Sequence, residues 1–142
     1  MLEGKFNLKM TKAIRRRGLF CYKTADRFHP GVPDIYIAGG NWIESKVVEV
    51  GSQNRTINLF DKLSEAQKEF GRDLIAAGDR VWLVYRIEGK TSKHLIMKPL
   101  EYMAERPEWR VVTDILSMPE IKSEMDYEID YFIDAIKKEN IQ

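Results

Sequence analysis

Two runs of alternating residues flank a glycine pair: Asp34-Ile35-Tyr36-Ile37-Ala38, then Gly39-Gly40-Asn41, then Trp42 through Val50. Period-two alternation is the mark of a strand, and Gly-Gly-Asn between two such runs is a tight hairpin signal, because glycine takes positive φ without a Cβ penalty. The spacing predicts adjacent antiparallel strands, and the rest of the chain must supply layers to cover them. Residues 2–17 read as a helix, with Leu2, Phe6, Met10, Ala13 and Ile14 on one face and Gly18 as the stop. Leu19–Lys23 reads as a strand and Thr24–Pro33 as a polar loop. Gly51–Lys62 reads as a second polar loop, and Ser64–Ala77 as a helix capped by Ser64 and ended by Gly78. Val81–Ile87 is a strongly apolar strand, followed by a turn at Glu88-Gly89-Lys90, a strand over His94–Met97, a helical turn or two over Pro99–Ala104 and a short edge strand over Trp109–Thr113. Ile121, Met125, Ile129, Phe132, Ile133 and Ile136 mark a final amphipathic helix. The expected fold is α/β, a mixed central β-sheet flanked by helices, with a C-terminal helix.

At 142 residues the chain is expected to form one domain, with a core over about 1–98 and a C-terminal extension over about 99–142. A hydrophobic fraction of 44% suffices for a real core, and no apolar run approaches the ~20 residues of a membrane helix. The segment Met1–Met10 lacks the basic-then-apolar plan of a signal peptide. One cysteine, Cys21, permits no internal disulfide and points to a reducing cytoplasm; with only two histidines, a structural zinc site is not expected. The net charge of +1 hides an asymmetry: residues 1–60 carry ten Lys/Arg against five Asp/Glu, and residues 61–142 carry thirteen against seventeen. Such a distribution suits a nucleic-acid face and an ordinary mixed surface equally.

The chemistry concentrates at Pro33-Asp34 and Glu44-Ser45-Lys46. Glu44 and Lys46 share one face of their strand, and Ile43, Ser45 and Val47 share the other. If the hairpin forms, Asp34 comes beside Glu44, so two carboxylates and an ammonium converge. Two adjacent carboxylates repel, and a divalent cation relieves the repulsion. Hard oxygen donors that leave coordination positions open suit Mg²⁺, with Mn²⁺ as a substitute. Such an ion polarises a phosphodiester and activates water, and Lys46 is placed to orient that water or to stabilise developing charge.

These residues resemble the PD-(D/E)XK nuclease superfamily: Pro33-Asp34 matches the first half of its signature and Glu44-Ser45-Lys46 the second, over a resemblance spanning roughly residues 3–87. Within it, the chain is most similar to the virus-type replication-repair nucleases and the phage Holliday-junction resolvases. The resemblance implies a restriction-endonuclease-like core, a metal bound by Asp34 and Glu44 with help from Glu3, and catalytic roles for Asp34, Glu44, Lys46 and Gln67. Glu3 lies three and seven residues before Phe6 and Met10, toward the buried face, where a carboxylate needs a partner; the alternative is an acid that favours the helix dipole. Gln67 matches a glutamine that supports the site in those families, and Ser64-x-x-Gln67 is equally a capping box. Ser45 departs from the apolar residue often found between the acid and the lysine, which suggests that its face is not deeply buried.

The implied function is a Mg²⁺-dependent endodeoxyribonuclease, structure-specific for Holliday junctions or branched DNA, acting as a homodimer in the cytoplasm, or in the host cytoplasm if phage-encoded. A site-specific endonuclease of homing or restriction type is the enzymatic alternative. A non-catalytic DNA-binding protein of nuclease fold is the alternative of another class, and chance occurrence of the motif in an unrelated α/β domain is a third. Arg15, Arg16 and Arg17 could hold DNA phosphate or simply favour a helix C-terminus. Lys23, Arg27 and His29 before the metal strand, and Arg55 after it, are further backbone-contact candidates. Glu88-Gly89-Lys90 spells a second ExK but sits in a turn, and Glu49 is out of phase with Glu44. Tyr36 and Trp42 are expected to pack in the sheet. Thr113–Gln142, with eight acids and three bases, is read as a segment that packs on the domain or on a second subunit, away from DNA.

Overall fold

The computed structural model describes residues 1–24, 30–51, 56–90, 92–113 and 133–138. Helix α1 (Glu3–Arg16) leads to β1 (Cys21–Lys23), β2 (Ile35–Ile37) and β3 (Asn41–Glu49). A short β4 (Ile57–Asn58) and a 3₁₀ turn (Phe60–Lys62) precede α2 (Glu65–Ala76), β5 (Arg80–Glu88) and β6 (Lys93–Pro99). Helix α3 (Leu100–Glu105), a second 3₁₀ turn (Pro107–Trp109) and β7 (Val111–Val112) follow, and residues 133–138 are helical. The expected mixed α/β architecture is present: a five-stranded sheet ordered β1-β2-β3-β5-β6, covered by helices. Among the described residues no helix is long and apolar enough to cross a membrane.

The hairpin forms as its glycines require. Ile37 pairs with Asn41 across Ala38-Gly39-Gly40, and both glycines have positive φ, at 103° and 82°. β3 then runs parallel to β5 over its whole length, from Asn41↔Arg80 to Glu49↔Glu88, with α2 as the crossover. β5 is central and buried on both faces, so it is apolar almost throughout.

Strand alternation divides the core in two. Phe6, Met10, Ala13 and Ile14 of α1 pack with Ile35, Ile37, Ile43, Trp82 and Val84, and Ile133 and Ile136 complete that layer. This much of the C-terminal helix packs on the domain itself; the expected Ile121–Phe132 stripe lies outside the described residues. On the opposite face Val48, Leu83, Tyr85 and Ile87 pack with Ile57, Leu59, Leu63, Leu100 and Met103.

The stretch read as a polar loop over Gly51–Lys62 contains β4, which pairs with β7 in a separate two-stranded sheet. Ile57 and Leu59 are buried there, and the Tyr85 hydroxyl donates to the Leu59 carbonyl at 2.8 Å. Two residues of strand give no readable period, and the partner is remote in sequence, so pairing rather than local pattern makes this element.

A close approach brings the first carboxylate to the sheet. Thr24 N donates to the Asp34 carbonyl at 2.9 Å and pins β1 to the start of β2. Gly31, at φ +90°, lies against the start of α2, where a Cβ would stand 2.2 Å from the Ala66 carbonyl oxygen. Gly31→Ala meets both a disfavoured backbone region and a backbone clash. It is expected to lower the unfolding free energy by about 1–3 kcal/mol, read as a lower urea midpoint at constant m-value. An unchanged midpoint would show that this loop does not press on α2.

Candidate active site

The site lies where β2 and β3 part. Their pairing ends at Ile35↔Ile43, so the next β3 amides on that side, Ser45 and Val47, lose a strand partner. Buried or half-buried amides must be satisfied, and here carboxylates replace the missing carbonyls. Asp34 Oδ2 accepts from Ser45 N at 2.8 Å and from Ser45 Oγ at 3.0 Å. Glu3 Oε1 accepts from Val47 N at 3.4 Å. The Ser45 hydroxyl also bonds the Asn7 side chain, and the Asn7 backbone carbonyl accepts from Thr11 Oγ1.

Ser45 is therefore fully buried, contrary to the expectation drawn from its polarity. A hydroxyl is tolerated there because Asn7 and Asp34 satisfy it. Glu3 is also corrected: it is exposed rather than turned into the core, at the first turn of α1, and its bond is to β3 backbone. Glu3 remains close enough for its charge to raise the Glu44 pKa.

Glu44 projects from the other face of β3, toward α2, and is 4% exposed. Gln67 Nε2 donates to Glu44 Oε1 at 2.8 Å, and Lys46 Nζ stands 3.8 Å from the same oxygen. The two readings of Gln67 are both present, since Ser64 and Gln67 form a complete capping box while the Gln67 amide nitrogen reaches Glu44. Capping uses the Gln67 amide oxygen, which accepts from Ser64 N at 2.9 Å, and so leaves the amide nitrogen to donate to the carboxylate. Glu44 Oε2 is buried with no hydrogen-bond partner.

Burial pushes the Glu44 carboxyl up to about 9, the nearby Asp34 charge pushes it further the same way, and Lys46 opposes them. The Tyr85 phenol, buried and within reach of the Glu44 charge, is pushed up as well and stays neutral. A divalent cation would supply what this pair lacks: opposite charge for two carboxylates and a partner for Oε2. Among the described residues no three acids, histidines or cysteines form a ready cage. Asp34 and Glu44 fit a hard ion that retains most of its waters, as Mg²⁺ does, rather than one enclosed by protein.

The candidate DNA contacts separate. Arg15 is exposed, but its Nε and Nη2 donate to the Cys21 carbonyl at 3.1 and 2.9 Å and thereby clamp α1 to β1. Arg16, Arg17 and Lys23 are exposed near that junction; Arg27, His29 and Arg55 lie outside the described residues. Glu49 is exposed, out of phase with Glu44 as expected. Glu88 binds the amino terminus at 2.8 Å and Arg86 at 3.1 Å, a structural cluster that accounts for the second ExK. Tyr36 and Trp42 do pack together on the sheet, their ring centres 4.8 Å apart. Asn7 and Ser45 are the site residues that motif reading missed. The available signal was polarity on the α1 stripe, where Asn7 and Thr11 interrupt the run of Phe6, Met10 and Ile14.

The raised Glu44 pKa has a defined consequence for stability. The folded state keeps a proton that the unfolded chain releases near the ordinary value of 4.5, so metal-free stability falls as pH rises from about 4.5 to about 9. Glu44→Gln, which carries no such proton, should flatten that decline and stabilise the metal-free protein above pH 8 by an amount on the order of a few kcal/mol, seen as a higher melting temperature. Thermal melts across pH in EDTA test this, and parallel pH profiles for the two proteins would refute it. No protein-family model and no curated protein matches this sequence.

Proposed function

We propose that the chain is a Mg²⁺-dependent endodeoxyribonuclease of PD-(D/E)XK type. The observation that carries this reading is the pairing of half-buried Asp34 with buried Glu44, whose Oε2 is unsatisfied, beside the Lys46 ammonium. A bound divalent ion would polarise a phosphodiester oxygen and lower the pKa of water. Asp34 and Glu44 would hold that ion. Asp34 is fixed for the task because Ser45 N and Oγ both grip its Oδ2, and Gln67 similarly fixes Glu44 through Oε1. Rigid, pre-set donors spend little free energy on reorganisation when substrate arrives.

Lys46 emerges from the same strand face as Glu44, with its side chain 19% exposed. Its ammonium can therefore meet an attacking water or the phosphate from the solvent side. Attraction to charge that grows toward the transition state raises rate more than ground-state affinity. Branched DNA is the preferred substrate, and a homodimer acting on two strands is the matching assembly.

The deciding assay offers purified protein four-way junction, splayed, linear duplex and single-stranded DNA. Cleavage is expected with Mg²⁺ or Mn²⁺, while Ca²⁺ should support binding without efficient cutting. Equal cleavage in EDTA would remove the metal from the proposal. Lys46→Ala should lower single-turnover cleavage on the order of 10²–10³-fold with little loss of DNA affinity. A normal rate at enzyme saturation would reduce Lys46 to a surface charge.

A further inference from the structure

A row of aromatic rings crosses the sheet on the face that carries Glu44. Trp42, Tyr36 and Tyr22 occupy directly opposed positions on β3, β2 and β1, and Phe20, two residues before Tyr22, extends the row along the outer segment, away from the carboxylates. Their ring centres are 4.8, 5.6 and 6.2 Å apart in succession, mutually tilted by 53° to 60°. The inner end is anchored, with Trp42 Nε1 donating to Asp79 Oδ2 at 2.9 Å. The outer end is bare: Phe20 is 68% exposed and Tyr22 44%.

Folding alone does not account for these outer rings. Two large aromatics on an edge strand add little to the core and carry an aggregation cost. Their position is informative. Trp42 lies two residues before Glu44 on β3, and Tyr36 two residues after Asp34 on β2, so the row runs about 7 Å from the carboxylates. The cation on the same face is Lys46, two residues beyond Glu44 on β3 and 3.8 Å from its carboxylate, whereas Lys23 and the end of α1 lie on the opposite face. Aromatic faces on the side that carries Lys46, leading away from the proposed phosphodiester site, match the chemistry of an unpaired nucleic-acid strand, whose bases stack and whose phosphates are anionic.

Resting on the nuclease reading of the carboxylate site, we infer that Phe20 and Tyr22, backed by Tyr36 and Trp42, form a stacking platform for unpaired bases beside the scissile phosphate. The preferred substrate then carries a single-stranded segment, as in a splayed or flapped duplex, rather than a fully paired junction.

The test measures fluorescence anisotropy of labelled oligo(dT), splayed duplex and blunt duplex with the full chain in Ca²⁺. Phe20→Ala/Tyr22→Ala should weaken oligo(dT) and splayed duplex about tenfold or more while sparing the blunt duplex, and Tyr22→Phe should retain binding. Both rings are exposed, so an unchanged urea midpoint is expected and would exclude unfolding as the cause. Unchanged oligo(dT) affinity overturns the platform, as does an equal loss on all three ligands. A dimer that becomes monomeric in the double variant, with oligo(dT) affinity intact, also overturns it and assigns the row to a subunit interface. Binding is read without cleavage, so the two readings fail separately. Oligo(dT) affinity lost in the variant, in a protein that cuts nothing with Mg²⁺ or Mn²⁺, keeps the platform and removes the nuclease. Cleavage of blunt duplex without oligo(dT) affinity does the reverse.

Discussion

The divergence of β2 from β3 after Ile35↔Ile43 is the constraint on which the site depends. A strand that loses its neighbour exposes amides, and a sheet normally answers by ending or by covering them. Here β3 continues to Glu49 because β5 pairs its other edge throughout. The open amides of Ser45 and Val47 recruit Asp34 and Glu3 instead. Acidic side chains are thus drawn to one sheet edge by backbone hydrogen bonding, before any ligand is considered.

Against that local gain stands an electrostatic cost. Glu44 is buried beside Asp34, one of its oxygens lacks a partner, and its proton is held to about 9. Gln67 and Lys46 offset part of this, one by hydrogen bond and one by charge. The proposed cation would relieve that deficit of positive charge. The surroundings are built to bear it. α2 is pinned by its capping box and by Gly31 at its start, and Tyr85 ties the sheet beneath Lys46 to the β4 region through Leu59.

The same divergence separates two tasks on the sheet. The half around β5 is covered on both faces and supplies stability. The antiparallel half, β1 to β3, is covered by α1 on one face and carries aromatic rings on the other, half-open toward its edge. The proposed chemistry sits at the seam between the covered half and the half-open one, at carboxylates that the core holds in place.

Local pattern determined a large part of this protein. Alternation across Gly39-Gly40, the α1 stripe of Phe6, Met10 and Ile14, and the Ser64–Gln67 cap are short-range signals, and each element stands where its residues required it. The face shared by Glu44 and Lys46 followed from strand geometry alone, as did the approach of Asp34. What required the tertiary structure was everything set by partners remote in sequence. The β4–β7 pair is too short to show a period, the polar Ser45 is buried because Asn7 arrives from α1, and Arg15 donates to the Cys21 carbonyl, a partner that only the packed chain supplies. Glu3 shares the α1 register of the buried stripe yet lies at the helix end, beyond the layer that would bury it. Periodicity reports which way a side chain points; only the packed neighbours decide what it meets there.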